Sequence, residues 1–141
     1  MAIWFKPLTL DALNQRGQNT MVEFLGITFT DIGDDFLVAT MPVDDRTRQP
    51  IGILHGGANV VLAETVASTA ANAVVDLSHS YCVGLEINAN HIRSVTDGWV
   101  SAKAQPLHLG KTTQVWQINI YNEDEKLTCT SRMTAAVMKR V

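Results

Sequence analysis

The sequence predicts an α+β fold in which one long central helix is wrapped by a curved antiparallel β-sheet. Three features carry that expectation. Residues 58–75 form the least polar stretch of the chain and are long enough for a buried helix. Nearly everything after Ser80 alternates between apolar and polar side chains, the period of a half-buried strand. Turn-forming residues separate the alternating runs, so successive strands are expected to fold back on one another. A helix with almost no hydrophilic side cannot rest on a sheet's edge in water, so the sheet should close around it. A chain of 141 residues has room for one ordinary core, and residues 1–141 read as a single domain without repeats or linkers.

In chain order, Thr9-Leu10-Asp11-Ala12-Leu13 reads as a capped helical turn and residues 19–24 as a second. Gly33-Asp34-Asp35 is a turn between strands at residues 27–31 and 36–43. A polar loop over residues 44–50 leads to Leu54-His55-Gly56-Gly57, where the long helix starts. Beyond it, Leu85, Ile87 and Ala89 share one parity and Glu86, Asn88 and Asn90 the other. Trp116, Ile118 and Ile120 stand against Gln117, Asn119 and Tyr121 in the same way. Asp97-Gly98, Leu109-Gly110 and residues 122–126 mark hairpins, which makes the second half a meander with one apolar face. The other face, with Asn88, Gln117, Asn119, Thr128 and Thr130, is polar but nearly uncharged, as suits packing against another subunit.

Composition narrows the function classes. A charged fraction of 18% beside 46% hydrophobic residues implies that part of the surface is hidden in an oligomer. A net charge of −3 with scattered Lys and Arg argues against nucleic acid as a partner. The first residues lack the apolar core of a signal peptide. Residues 58–75 carry Asn59, Glu64, Thr65, Ser68, Thr69 and Asn72, too many polar groups for a membrane span. Cys82 and Cys129 have no Cys-x-x-Cys context and read as free thiols of a cytoplasmic protein. The four histidines lack cysteine or carboxylate at ligand spacing, so no metal is expected.

The chemistry gathers around the helix. In Gln49-Pro50-Ile51-Gly52-Ile53-Leu54-His55-Gly56-Gly57 a glycine pair opens the helix, which lets a ligand approach the backbone. Unpaired N–H groups there point outward with the positive end of the helix dipole. They could hold an oxyanion, an interaction worth about 3–4 kcal/mol when one good donor is lost. Equally, Gly56 and Gly57 could serve a tight turn and close helix packing. Glu64 lies between Leu62-Ala63 and Val66-Ala67, where an enclosed carboxylate needs a partner or a task. Ser68 and Asn72 follow on the same stripe, so a hydroxyl one turn away could help hold a water. The alternatives for Glu64 are a structural ion pair or an outward-facing position. His91 and Arg93 extend the apolar parity of one strand; a lone histidine there is more often a core residue, whereas Arg93 suits a pocket mouth that meets phosphate. His79 reads as a surface residue, and His108 in Pro106-Leu107-His108-Leu109-Gly110 is compatible with either role.

Leu54-His55-Gly56-Gly57-Ala58 with Glu64 and Ser68 downstream resembles the pattern of hotdog-fold acyl-CoA thioesterases. The likeness continues through Met41-Pro42-Val43-Asp44, Gly84-Leu85-Glu86-Ile87-Asn88-Ala89-Asn90-His91 and Pro106-Leu107-His108-Leu109-Gly110. It is greatest to the branch holding 1,4-dihydroxy-2-naphthoyl-CoA hydrolases of menaquinone synthesis and enterobactin proofreading thioesterases. The resemblance implies hydrolysis of an aryl or related acyl thioester, on coenzyme A or a carrier protein, without metal or redox cofactor. Coenzyme A is then part of the substrate. It implies Glu64 as nucleophile or general base, the Gly56 N–H as polariser of the carbonyl, and Gln49 and His55 as orienting groups. Ser68 assists the attacking group, and His91, Arg93, Ser94 and His108 belong to substrate binding. It also implies a homo-oligomer, a tetramer built from dimers, in which Gln49, His55 and Gly56 face Glu64 and Ser68 of a neighbour. Two features depart from the family pattern, both bearing on the acyl pocket: Asn59 stands where a small residue is usual, and the segment 76–80 is about one residue longer than usual. The rivals are a 3-hydroxyacyl thioester dehydratase, which favours a Phe-Pro segment after its histidine, and a non-catalytic acyl-CoA binder.

Overall fold

A computed structural model describes residues 1–141. Two short helices, α1 (Leu10–Gln15) and α2 (Met21–Phe24), begin where the Thr9 and Thr20 hydroxyls accept N–H groups of the first turn. Strands β1 (Thr28–Ile32) and β2 (Leu37–Pro42) follow, then the long helix α3 (Gly56–Val74). The chain ends in four long strands, β3 (Ser80–His91), β4 (Trp99–Leu109), β5 (Thr113–Tyr121) and β6 (Leu127–Lys139).

All strands form one antiparallel six-stranded sheet in the order β1-β2-β4-β5-β6-β3. This corrects the expected meander. The turns at Gly110 and at residues 122–126 are hairpins, but Asp97-Gly98 ends a crossover that carries the chain from β3 at one edge to β4 beside β2. Alternation fixes which side chains share a face; it does not say which strand lies alongside. A bulge between Gly84 and Glu86 also breaks the expected parity, leaving Leu85 62% exposed while Ile87 and Ala89 turn toward the core. Thr128, expected on the outer face, is buried and donates its hydroxyl to the Ile120 carbonyl, next to a register shift in β5–β6.

Helix α3 packs across β2 to β6. Its buried stripe is Asn59, Leu62, Ala63, Val66, Ala67, Ala70 and Ala71, the i, i+3, i+4 repeat of one helical face. Small residues on that stripe let the helix lie close to Trp116, Ile118, Ile120 and Met133 of the sheet. Asn72 clasps the two layers, its Oδ1 accepting the Cys82 N–H at 2.8 Å and its Nδ2 donating to the Cys82 carbonyl at 3.1 Å. The sheet does not close, since β1 and β3 remain free edges. The opposite face of α3, with Glu64, Thr65, Ser68 and Thr69, is therefore only half-buried. No helix is long and apolar enough to cross a membrane.

Candidate active site

The loop before α3 is fixed from within. Thr47 is buried; its hydroxyl donates to the Pro42 carbonyl at 2.8 Å and accepts the Asp44 N–H at 3.1 Å, and its carbonyl accepts His55 N–H at 2.7 Å. The Arg46 guanidinium meets Asp44 at 2.7 Å, holding that carboxyl below its ordinary range, and also donates to the Phe24 carbonyl at 2.8 Å. At the tip, Gly52 has φ +90, a conformation that favours glycine, and donates its N–H to the Gln49 carbonyl at 2.9 Å. Gln49 donates its own N–H to Ile53 and accepts the Ile51 N–H on its side-chain oxygen, so it stands at the helix entrance.

His55 caps α3, with Nδ1 accepting the Gly57 N–H at 2.8 Å. The Gly56 N–H has no acceptor within the chain, so it is available to a ligand at the positive end of a 19-residue helix. The His91 ring lies over Gly56, where a Cβ would come within 2.8 Å of Nε2. On the other edge of that ring, Nδ1 is 3.3 Å from Nδ2 of the buried Asn59. Gln49, Gly56, Asn59, His91, Arg93 and Ser94 line one open cleft of about 280 Å³.

Glu64 and Ser68 open elsewhere. They share a second depression with Met21, Val22, Val61 and Thr69. Glu64 is eight residues beyond Gly56, about 12 Å along the helix at 1.5 Å per residue. Its carboxylate is half-exposed, has no ion-pair partner within the chain, and leans on the backbone of Gly84. Glu64 thus sits on the open side of the helix rather than enclosed, because the sheet covers only the opposite stripe. Ser68 makes a 3.8 Å contact from its hydroxyl to Met133 Sδ.

One chain therefore assembles Gln49, His55, Gly56, His91, Arg93 and Ser94 at one place and Glu64 with Ser68 at another. His108 belongs to neither: it is exposed at a bulge near the end of β4, beside Gly110. His79 lies on the surface near Asp76. Cys82 and Cys129 are buried and unpaired, and burial pushes both thiols up. No cluster of three or more His, Cys, Asp or Glu side chains converges anywhere. A more apolar cavity of about 210 Å³, with Phe5, Leu8 and Leu77, lies at the other end of α3 and contains none of the candidate groups. The sequence marks Asn59 only as a departure near the acyl pocket and assigns no role to Gly84 or Met21. A glycine inside a strand pattern does signal close approach of another group, and Gly84 was legible on that ground.

A helix that presents a free N–H at its start and a free carboxylate two turns on, beneath one antiparallel sheet, defines a class. Residues 51–129 match the family model of the thioesterase superfamily, and the chain belongs to that family. It is a hotdog-fold hydrolase of acyl thioesters. It is 54% identical over 136 residues to 1,4-dihydroxy-2-naphthoyl-CoA hydrolase of Escherichia coli, covering 96% of this chain and 99% of that one. It is 50% identical over 137 residues to the proofreading thioesterase EntH of Cronobacter sakazakii, covering 96% and 98%. Among solved structures, a glutamine-to-alanine variant of a thioesterase from Pseudomonas aeruginosa superposes with a TM-score of 0.97 at 47% identity, over 99% and 100% of the two chains.

Proposed function

We propose that this hydrolase acts on aryl-acyl-CoA thioesters in an active site shared between two subunits. The observation that carries the reading is the division within one chain. The free Gly56 N–H and the unpaired Glu64 carboxylate lie about 12 Å apart on one helix, so a second copy must bring them together. The thioester oxygen accepts the Gly56 N–H, while Gln49 and His55 orient the carbonyl and the leaving group. Glu64 of the neighbouring copy, with Ser68 one turn away, attacks the carbonyl carbon. In one route the carboxylate forms a mixed anhydride and expels the CoA thiolate, and water then cleaves the anhydride. In the other, the carboxylate takes a proton from a water whose oxygen adds to the carbon, and the thiolate leaves. Arg93 and Ser94, at the cleft's mouth, suit the nucleotide, and His91 lines the pocket. His108 remains a candidate substrate contact only if a partner subunit completes its surroundings. Neither route needs a metal or redox cofactor, and coenzyme A is part of the substrate.

A long free edge supports the assembly. Strand β3 has one unpaired side and exposes Val83, Leu85 and, just beyond it, Ile92. The neutral outer face, where Gln117 Nε2 donates to Thr130 Oγ1 at 2.8 Å, suits a further contact that joins two dimers into a tetramer. Two buried free thiols fit a reducing, cytoplasmic setting. The Escherichia coli relative favours 1,4-dihydroxy-2-naphthoyl-CoA in menaquinone synthesis as the substrate. The Cronobacter relative favours the second reading, proofreading of aryl groups on a carrier protein.

The test is Glu64→Gln assayed with benzoyl-CoA, acetyl-CoA and an aryl-loaded carrier protein. A carboxylate is required in both routes, so turnover should fall on the order of 10²-fold or more while substrate affinity and melting temperature hold. The wild-type protein should prefer the aryl thioesters. A Gln variant that keeps its turnover and loses stability would make Glu64 a structural residue.

A further inference from the structure

We propose that Asn59 is a positioning residue for this reaction: it holds His91 as the neutral tautomer with its proton on Nε2, so that the ring offers a hydrogen-bond donor beside the Gly56 N–H. The proposal rests on the reading of the Gly56 cleft as the carbonyl-binding half of the active site.

The placement of Asn59 is the first ground for it. The residue is 5% exposed on the buried stripe of α3, where the next positions are Leu62, Ala63 and Val66. An amide among aliphatic side chains is costly unless its polar atoms are matched. Its one side-chain partner is His91, with Nδ2 at 3.3 Å from Nδ1. Asn59 Oδ1 has no partner at all and is the one buried side-chain polar atom left so. An amide kept at that cost is held for what it does to the imidazole.

The chemistry follows from donor and acceptor rules. An amide nitrogen only donates, so Nδ1 must present its lone pair and the proton of the neutral ring resides on Nε2. The reversed amide would protonate Nδ1 and leave a bare lone pair on Nε2. It would also move the two-donor end of the amide into the enclosed position, where an orphaned donor is rarer than an orphaned acceptor. His91 Nε2 lies against Gly56, 2.8 Å from where a side chain would begin, so the tautomer decides what a substrate oxygen at Gly56 meets. Nε2–H adds a second donor to that oxygen, whereas a lone pair repels it. Asn59 itself touches no substrate and acts through the ring.

The experiment uses the intact oligomer labelled with ¹⁵N-histidine. Long-range ¹H–¹⁵N spectra report which ring nitrogen carries the proton, and His91→Gln identifies the signals. The wild type should show His91 with a bare Nδ1 and a protonated Nε2. Asn59→Leu, which keeps the side chain's shape, should give a mixture of tautomers and lower kcat about tenfold with KM little changed. Added to His91→Gln, it should cost little more, because both changes act on one ring. A wild-type ring protonated on Nδ1 overturns the proposal whatever the variants do. So do Asn59→Leu and His91→Gln effects that multiply. A His91→Gln variant with full turnover overturns the reading of the cleft as part of the active site, and the proposal with it.

Discussion

Glu64 leans on the backbone of Gly84, where a methyl group would stand 2.5 Å from Oε2. Glycine at the β3 bulge is thus what lets the carboxylate lie where it does, and the smallest side chain must push it aside. Gly84→Ala is expected to lower turnover by up to about 10²-fold, because a displacement of an ångström suffices for that in an oriented reaction. The melting temperature should change little, since Gly84 is exposed and the carboxylate can swing toward solvent. Steady-state kinetics beside a thermal melt check this, and an Ala variant with normal kcat would mean that Glu64 is not oriented by its seat. Glu64 was legible as a candidate in the sequence because it is the one charged residue of the long helix. Gly84 and Asn59 were harder to read. Their roles depend on which side chain comes across from another element, and that contact is set by a bulge and a crossover.

At the scale of elements, α3 is anchored near its end by Asn72 and oriented at its start by the loop that carries Gln49. Asn72→Leu would strand the Cys82 N–H and carbonyl that the amide now satisfies. It is expected to cost about 1–3 kcal/mol in a denaturant melt; an unchanged midpoint would show that β3 seats without the clasp. The loop has its own acid sensitivity. The side-chain hydrogen bond from Arg46, then its backbone N–H, lowers the Asp44 pKa below the ordinary 3.8. A depressed acid contributes fully above its unfolded pKa and loses that contribution as pH falls through the folded value. The loop's anchoring should therefore hold at neutral pH and loosen only below 3.8, with a small amplitude because the pair is largely solvated. Melting temperature followed into acid should show Asp44→Asn converging with the wild type; divergence there would contradict the assignment. The element types and most of their limits were legible from periodicity and from Thr9, Thr20 and the glycine pair. Strand order was not, because Asp97-Gly98 has the composition of a hairpin and serves as the end of a crossover. The closed sheet was also overdrawn. Thr65, Ser68 and Thr69 give α3 a mildly polar side, and Thr65 and Thr69 return their hydroxyls to the preceding turn at 2.6 and 2.7 Å, so that face tolerates being half open.

For the whole molecule, the open face of α3, the free edge of β3 and the divided site all fit the proposed arrangement, in which the chemistry is completed by a second copy of the chain. A symmetric dimer satisfies this twice, since each copy lends Glu64 to the other and borrows Gly56 in return. The most direct test mixes two proteins each impaired in one half of the proposed site, Glu64→Gln in the attacking group and Gln49→Ala in the carbonyl-orienting group, under conditions that allow subunits to exchange. In a hybrid dimer one site collects both substitutions and the other is wholly wild type. The account expects turnover to rise on mixing, at a rate set by exchange, and to approach about a quarter of the wild-type level when random pairing of equal amounts makes half the dimers hybrid. A mixture that stays as impaired as its components, with exchange verified by mass, would mean that Gly56 and Glu64 serve the same chain and would contradict the shared site.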